Sequence, residues 1–291
     1  MNHKAAIVQM VSTGDVQTNL VVAARQIGEA VAAGAALVVL PENFAVLDGG
    51  PLSQYAEREG DASALLQGFL RQQAQQHGII LVAGTMPLVT RPVLPGGIVE
   101  TIADGRVRPA SLVYGPDGLL MARYDKMHLF DVQVADKQAQ YMESRSFEPG
   151  SSIVTVATPL GKLGLSICYD LRFPELYRRL LEEGAEIITV PSAFTKVTGE
   201  AHWEILLRAR AIENQCYVLA PNQGGVHNAS RETWGHSMIV DPWGKVLASV
   251  EKGEGIAIAE IDLEYLHEVR NRMAVQAHRR LQGMHMDAPL S

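Results

Sequence analysis

Short apolar runs alternate with longer segments in which apolar residues recur every three or four positions along the first third of the chain. The runs "KAAIVQM", "ALVVLPE" and "IILVAGTM" have the length and composition of buried strands. Between them, "TNLVVAARQIGEAVAAGA" and "SALLQGFLRQQAQQHG" have the spacing of amphipathic helices, and the second is closed by Gly78. This pattern predicts strands that alternate with helices.

Hairpins interrupt the alternation further along. The segments "SSIVTVATPLGKLGLSICYD" and "SMIVDPWGKVLASV" predict hairpins, and the Pro/Gly-rich Leu88–Ser111 segment leads into the hairpin turn "YGPDGLL". The segments "FPELYRRLLEEGA" and "GEAHWEILLRARAIENQ" predict helices before the strands "EIITVPSAF" and "CYVLAPNQGG", and a last helix is predicted from Asp262 to about Arg270. We expect one α/β domain over residues 1–291, with mixed sheets and helices outside.

Composition narrows the class of protein. The chain has 32 acidic and 25 basic residues, a net charge of −7, which favours neither nucleic acid nor anionic membranes as partners. We find neither a signal-type h-region nor the roughly 18 uninterrupted apolar residues of a membrane span. Cys168 and Cys216 give no disulfide framework and no zinc spacing, so we expect a cytoplasmic protein with reduced thiols.

Three polar residues follow predicted strand ends: Glu42 in "VVLPEN", Lys126 in "ARYDKMH" and Cys168 in "LSICYD". In α/β folds the carboxyl ends of strands are where functional sites form. A carboxylate beside a thiol can act as general base, and an ammonium can lower the thiol pKa and stabilise an oxyanion. Together the three would make an acyl-transfer site without histidine.

Other interpretations stay open on spacing alone. A strand-end glutamate is often a solvated cap, and a free cysteine such as Cys168 is often buried packing. The nine histidines form no His-x-x-x-His pair, which argues against a metal site. A papain-like pair of Cys168 with His202 or His236 remains possible at this stage, because pairing distance cannot be read from a sequence.

The motifs "LPEN", "RYDKMHLFD" and "ICYDLRFPEL" resemble the glutamate, lysine and cysteine motifs of the nitrilase superfamily, the carbon–nitrogen hydrolases, in that family's order. "YMESRSFEPG", "WGHSMIVDPWGKVLA" and "AVQAHRR" resemble the Nit branch of this superfamily. Within that branch the sequence is similar to the deaminated glutathione amidases more than to the ω-amidases, although Leu88–Ser111 is longer and richer in proline and glycine than usual.

This resemblance implies a four-layer α-β-β-α sandwich, with protomers paired helix against helix into a homodimer or a larger even-numbered oligomer. It implies hydrolysis of a linear amide without metal or organic cofactor. Glu42 takes the position of the general base, Lys126 that of the electrostatic stabiliser and Cys168 that of the nucleophile. Glu143, in "YMESR", matches a second glutamate beside the lysine, and a purely structural ion pair with Lys126 is the alternative role.

The resemblance also places Cys168 on a sharp turn after its strand, with a helix expected from Arg172 to Leu181. Such an elbow exposes the sulfur and offers the backbone N–H of Tyr169 as an oxyanion donor. Cys216 is then interpreted as core packing.

Substrate contacts are predicted from side-chain chemistry. An arginine fork suits a carboxylate, so Arg172 is assigned to an α-keto acid end, with a salt bridge to Asp170 or Glu175 as the alternative. The family resemblance, and not side-chain chemistry, implies that the strand-end loop with Phe194, Thr195 and Thr198 lines the pocket. Two residues of a later loop are candidates for a distal carboxylate, namely Arg231 and His227.

We therefore expect a cysteine-dependent amidase that cleaves deaminated glutathione to 2-oxoglutarate and Cys-Gly through a thioester. One alternative is an ω-amidase acting on α-ketoglutaramate or another small monoamide. A second is a catalytically silent binding or scaffold protein on the same fold, against which the intact Glu42, Lys126 and Cys168 argue.

Overall fold

Two β-sheets lie face to face in the computed structural model, which describes residues 3–93 and 99–281. The single domain expected over residues 1–291 stays a prediction, and its residues 1–2, 94–98 and 282–291 lie outside the described residues. No helix of the described part is both long enough and apolar enough to cross a membrane.

The elements follow the predicted alternation. The helices are α1 (Val16–Ala32), α2 (Leu65–His77), α3 (Pro174–Glu182), α4 (Lys196–Asn214) and α5 (Leu263–Arg272). The strands are β1 (His3–Gln9), β2 (Ala35–Val39), β3 (Ile80–Val82), β4 (Met86–Leu88), β5 (Arg108–Tyr114), β6 (Leu120–Asp125), β7 (Asp131–Gln133), β8 (Gln140–Met142), β9 (Thr155–Thr158), β10 (Gly161–Leu165), β11 (Ile187–Thr189), β12 (Tyr217–Ala220), β13 (Ser237–Val240), β14 (Val246–Val250) and β15 (Gly255–Ile261).

Each large sheet combines a parallel centre with antiparallel edges. The first sheet has the order β15-β1-β2-β3-β5-β4, with β6 also paired to β5, and its strands β1, β2 and β3 are parallel. The second has the order β14-β13-β12-β11-β10-β9, with β10, β11 and β12 parallel. The short hairpin β7–β8 forms a separate two-stranded sheet.

Alternating side chains divide the core into layers. In β1, Ala5 and Ile7 belong to the core that includes the second sheet, whereas Ala6 and Val8 belong to the core under α1 and α2. Helices α3 and α4 pack on the outer face of the second sheet, with Trp203 and Leu207 fully buried. This arrangement confirms the predicted α-β-β-α sandwich.

Capping residues set helix boundaries that the periodicity alone placed only approximately. The predicted end of α2 at Gly78 is confirmed, because Gly78 adopts the left-handed conformation with a φ of 63°. Helix α4 begins earlier than the predicted segment, since the Thr195 side chain caps its first turn. The helix expected from Arg172 begins instead at Pro174, after a 3₁₀ turn over Cys168–Arg172.

Candidate active site

Three loops bring Glu42, Lys126 and Cys168 together at one rim of the sandwich. Glu42 lies three residues after β2, Lys126 directly follows β6, and Cys168 lies three residues after β10 in the other sheet. The Lys126 Nζ lies 2.9 Å from Oε1 of Glu42. It also lies 3.0 and 2.9 Å from the two carboxylate oxygens of Glu143.

Cys168 lies on a strained turn. Its φ is 47°, in the left-handed region that a residue with a Cβ rarely adopts. Its N–H donates to the carbonyl of Pro191 at 2.9 Å, which holds the turn against the loop that follows β11. Cys168 lines the pocket and also packs in the core, with 8% of its surface exposed, and Tyr169 follows it in the pocket wall.

Electrostatics keep the ammonium charged and the thiol protonated. Burial alone would lower the pKa of Lys126, but the negative charges of Glu143 and Glu42 outweigh it and raise that pKa well above its usual range. Burial, and then the charge of Glu42, raise the pKa of the Cys168 thiol well above its usual range, although Lys126 acts in the opposite direction. The expected lowering of the thiol pKa by the ammonium is therefore outweighed.

Glu143 opens a 3₁₀ turn over Glu143–Arg145 and contacts both the lysine and the backbone. Its Oε2 accepts the N–H of Phe130 at 2.7 Å. Burial raises the pKa of Glu143, and the nearby Glu42 adds to the effect, while Lys126 acts against it. With 22% of its side chain accessible, Glu143 both pairs with Lys126 and reaches the pocket surface.

A cavity of about 260 Å³ opens over this cluster. Lys126 lies beneath the floor with 1% of its side chain accessible, so it acts on the pocket through the groups around it and through its charge. The other predicted site residues, apart from His227, line the cavity: Glu42, Glu143, Cys168, Tyr169, Arg172, Phe194, Thr195, Thr198 and Arg231.

Arg172 projects over aromatic rings. Its guanidinium carbon lies 5.3 Å from the centre of the Phe194 ring and 5.9 Å from that of Tyr169. Its Nη1 lies 3.2 Å from Nδ1 of His202. Within the described residues, no carboxylate pairs with it, and the alternative salt bridges to Asp170 and Glu175 are not formed.

The other side chains predicted to bind substrate already contact protein groups to different degrees. Thr195 and Thr198 share a 2.9 Å hydroxyl contact in the cap of α4. Arg231 makes one 3.3 Å ion pair with Asp48 at the pocket edge. His227 is not in the cavity lining, since its ring nitrogens contact the Ser12 carbonyl and the Thr233 hydroxyl.

The alternative catalytic and metal-binding residues considered from the sequence do not form part of the site. His202 contacts Arg172, and His236 stacks on Trp234, so neither accompanies the thiol in the cavity lining. Cys216 is fully buried in the core, as predicted, and burial raises its pKa to about 12. Among the side chains the structure describes, no group of three or more His, Cys, Asp or Glu could hold a metal ion.

Part of the pocket wall was not predicted from the sequence. Asn43, directly after Glu42, adopts a φ of 56° and donates its N–H to Thr85 Oγ1 at 2.8 Å, which turns the Glu42 loop toward the cavity. Asparagine tolerates this left-handed conformation, so Asn43 was the one feature of the sequence that could have indicated the turn. The 46–52 loop and Gln138 carry no motif, whereas Tyr141 and Met142 open the motif "YMESRSFEPG" but were not assigned to the pocket wall.

The strand-end thiol, buried carboxylate and buried ammonium on an α-β-β-α sandwich are suited to attack on a carbon–nitrogen bond. The carbon-nitrogen hydrolase family model matches residues 4–271, and the chain belongs to that family. It is an amidohydrolase, as the sequence predicted.

Two similar proteins extend over almost the whole chain. The chain is 41% identical to the deaminated glutathione amidase of Yersinia enterocolitica over 96% of this chain and 93% of that protein. It is 43% identical to that of Synechocystis sp. (strain PCC 6803 / GT-S) over 94% of this chain and 97% of that protein.

Solved structures with the same fold include Nit3 of Saccharomyces cerevisiae, a member of branch 10 of the nitrilase superfamily. It matches with a TM-score of 0.82 at 33% identity, over 96% of this chain and 97% of that chain. The C. elegans NitFhit protein also matches with a TM-score of 0.82, at 38% identity. This alignment covers 96% of the present chain and 65% of the NitFhit chain.

Proposed function

We propose that the enzyme hydrolyses deaminated glutathione to 2-oxoglutarate and Cys-Gly through a thioester on Cys168. The observation that carries the proposal is the Cys168 thiol at the cavity floor beside Glu42 and the buried Lys126. In the same wall lies the guanidinium of Arg172, which has no carboxylate partner among the described residues. The names of the two similar amidases support the choice of substrate.

Acylation begins from a neutral thiol. Glu42 accepts the Cys168 proton as the sulfur attacks the amide carbon, which avoids a free thiolate in a buried site. Negative charge then develops on the carbonyl oxygen, and Lys126 with the Tyr169 N–H stabilises it. Glu42 returns the proton to the amine nitrogen, the carbon–nitrogen bond breaks, and Cys-Gly leaves a thioester behind.

In deacylation Glu42 again takes and returns a proton, while the Cys168 sulfur becomes the leaving group. Glu42 takes a proton from a water molecule, which attacks the thioester carbon, and the proton returns to the Cys168 sulfur as the acid is released. Glu143 holds Lys126 in place and orients the water from its accessible edge. Glu143 can do both at once, because it pairs with Lys126 and also lines the cavity.

Opposite ends of the substrate carry carboxylates, and cations stand on two sides of the pocket. Arg172 binds the α-keto carboxylate of the acyl part, while Phe194 supports its guanidinium by cation–π contact. Arg231 binds the distal glycine carboxylate. It also lines an adjoining cavity of about 300 Å³, which it shares with Lys137 and Lys196. Thr195 and Thr198 complete the wall between these ends.

The proposal includes a homodimer formed through the outer face of α4. Val197, Ile205 and Ile212 lie on one side of that helix with 41%, 70% and 50% of their surface exposed. Trp243, 57% exposed, lies on the β13–β14 turn, which is held against α4 by a 2.9 Å bond from Arg208 to the Gly244 carbonyl. Sedimentation of an Ile205→Glu variant as a monomer would support this pairing.

We also assign the enzyme to the cytoplasm, where both free cysteines stay reduced.

The two amidase activities are separated by measuring both products. Purified enzyme is supplied with deaminated glutathione, where Cys-Gly release is followed, and with α-ketoglutaramate, where ammonia release is followed. A higher kcat/KM for deaminated glutathione supports the proposal, and a higher value for α-ketoglutaramate would make the enzyme an ω-amidase. Absence of turnover with both, together with no labelling of Cys168 by iodoacetamide, would indicate a silent binding protein.

A further inference from the structure

A buried carboxylate joins the two segments that carry the lysine and the cysteine. Asp170 has none of its surface exposed. Its Oδ2 accepts the Ile167 N–H at 2.8 Å and the Tyr124 hydroxyl at 2.7 Å. Its Oδ1 accepts the His128 N–H at 3.1 Å and lies 2.7 Å from the His128 ring Nδ1.

These partners come from both sheets. Tyr124 and His128 stand two residues before and two residues after Lys126, at the end of β6 in the first sheet. Ile167 directly precedes Cys168, and Asp170 follows it by two residues, at the turn that leaves the second sheet. The carboxylate therefore connects the backbone around the ammonium with the backbone around the sulfur.

Packing of the two sheets does not by itself fix the position of Lys126 relative to Cys168. The sheets meet mostly through apolar side chains, with a polar link where Ser237 of β13 donates to Oε1 of Gln9 in β1. Hydrophobic contact is non-directional, so by itself it tolerates small sliding of one sheet over the other. Catalysis is far less tolerant, since a misplacement of about 1 Å can cost about 10²-fold in rate. Hydrogen bonds of fixed direction at the rim restrict that sliding where Lys126 and Cys168 face each other.

We propose that Asp170 is a positioning residue for amide hydrolysis, which fixes the Lys126 segment of one sheet against the Cys168 turn of the other. Burial, and then the charge of Asp170, raise the pKa of Tyr124 well above its usual range, so its phenol stays protonated and donates. His128 is held from its other side by stacking on Phe173, with ring centres 3.7 Å apart and planes 6° apart. The inference rests on the roles proposed for Lys126 and Cys168.

The test compares two buried tyrosines that lose the same hydroxyl. Tyr124→Phe removes the bond across the sheets, whereas Tyr177→Phe removes a 3.0 Å contact with Ser166 that stays within the second sheet and α3. Both residues are fully buried. Well below the unfolding temperature of each variant, Tyr124→Phe should lower kcat about tenfold with KM within about twofold, and Tyr177→Phe should keep the wild-type kcat.

Asp170→Asn extends the comparison, because it keeps the shape and loses the charge and one acceptor. It should lower kcat by about 10²-fold, and adding Tyr124→Phe to it should cost little more, since both changes break the same connection. Equal kcat values for Tyr124→Phe and Tyr177→Phe would overturn the proposal and leave Asp170 a stability role only. An active Cys168→Ala variant would instead show that the underlying catalytic assignment is wrong.

Discussion

The ammonium nitrogen of Lys126 lies 2.9 Å from Oε1 of Glu42, and 1% and 5% of the two side chains are accessible to solvent. Glu42 therefore faces a fixed positive charge on one side and the Cys168 thiol on the other. Its negative charge is one of the reasons that the pKa of the thiol is raised. The carboxylate proposed to remove the proton is thus also a group that favours the protonated thiol in the substrate-free protein.

Glu42→Gln should separate these two effects. Removing the negative charge lowers the pKa of Cys168, because burial and Lys126 remain while one destabilising neighbour of the thiolate is gone. The rate of iodoacetamide labelling of substrate-free enzyme should then rise at a lower pH than in wild type. Amide turnover should nevertheless fall by about 10²-fold or more, since the general base is lost. A labelling profile unchanged or moved to higher pH would contradict the effect of the Glu42 charge on the pKa of Cys168.

Lys126→Met should lower kcat by at least about 10²-fold, because the variant loses the charge that stabilises the oxyanion. It also leaves Glu42 and Glu143 facing each other without a cation, so the unfolding temperature should fall. Lys4→Met is the matched control, since that solvent-exposed ammonium near the start of β1 donates to the Ala33 carbonyl at 3.4 Å, outside the pocket lining. A loss confined to KM in Lys126→Met would make the lysine a substrate clamp instead.

Cys168→Ala should abolish turnover and retain the fold. Alanine and cysteine both carry a Cβ, so the strain of the left-handed turn is the same in both proteins. Cys216→Ala should keep most of the activity and lose some stability, because it removes a buried sulfur from the core. Circular dichroism and steady-state kinetics on both variants check this, and the reverse pattern of activity would disprove the nucleophile assignment.

The sequence predicted the layers because their signals are local. Strand-length apolar runs and helical spacing are properties of neighbouring residues, and Gly78 marks a helix end by its own conformational freedom. The start of α4 was missed because "PSAFT" has the composition of a strand-end loop, although the Thr195 side chain accepts the Thr198 N–H and caps the helix locally.

The finer geometry of the site depends on residues that are distant in sequence. Arg231 pairs with Asp48, 183 positions away, and no pattern along the chain indicates that contact. The 3₁₀ turn after Cys168 is held by Pro191 and by the Asp170 side chain, so the predicted helix could not begin at Arg172. Motif resemblance supplied the three central residues and Glu143, whereas contacts such as Asp170 with Tyr124 and Arg231 with Asp48 required the structure.

Glu148→Gln should reduce stability in a pH-dependent way. Hydrogen bonds from Arg91 and then Arg108 outweigh burial and lower the pKa of Glu148 from 4.5 to about 2, with 12% of its side chain accessible. A carboxyl with a depressed folded-state pKa stabilises the fold above its unfolded value and loses that contribution as the pH falls through the folded value. The destabilisation measured at pH 7 should therefore shrink as the pH falls from about 4.5 to about 2.

Urea unfolding of wild type and Glu148→Gln at several pH values measures this difference. Glu29→Gln is the control, because its ion pair with Arg25 has about half of each side chain exposed and should contribute little at any pH. A Glu148→Gln deficit that stays constant down to pH 2 would mean that packing, and not the charge, is what the variant loses.

Arg172→Lys should discriminate between substrates with and without a carboxylate. The guanidinium lies over the Phe194 ring, has no carboxylate partner among the described residues, and faces the cavity that holds Cys168. A bidentate, charge-assisted contact there should contribute about 1.5–3 kcal/mol. Lysine keeps the charge but loses the fork, so kcat/KM for α-keto monoamides should fall by at least about tenfold.

Neutral amides that lack the carboxylate should be hydrolysed by Arg172→Lys nearly as well as by wild type. His202→Ala controls for the one side-chain polar contact that Arg172 makes among the described residues, at 3.2 Å, and should not reproduce the selective loss. The measurement is kcat/KM for one carboxylated and one uncharged amide in all three proteins. Equal losses on both substrates would make Arg172 a structural residue of the pocket wall and would move the carboxylate contact to Arg231 or to the 194–198 loop.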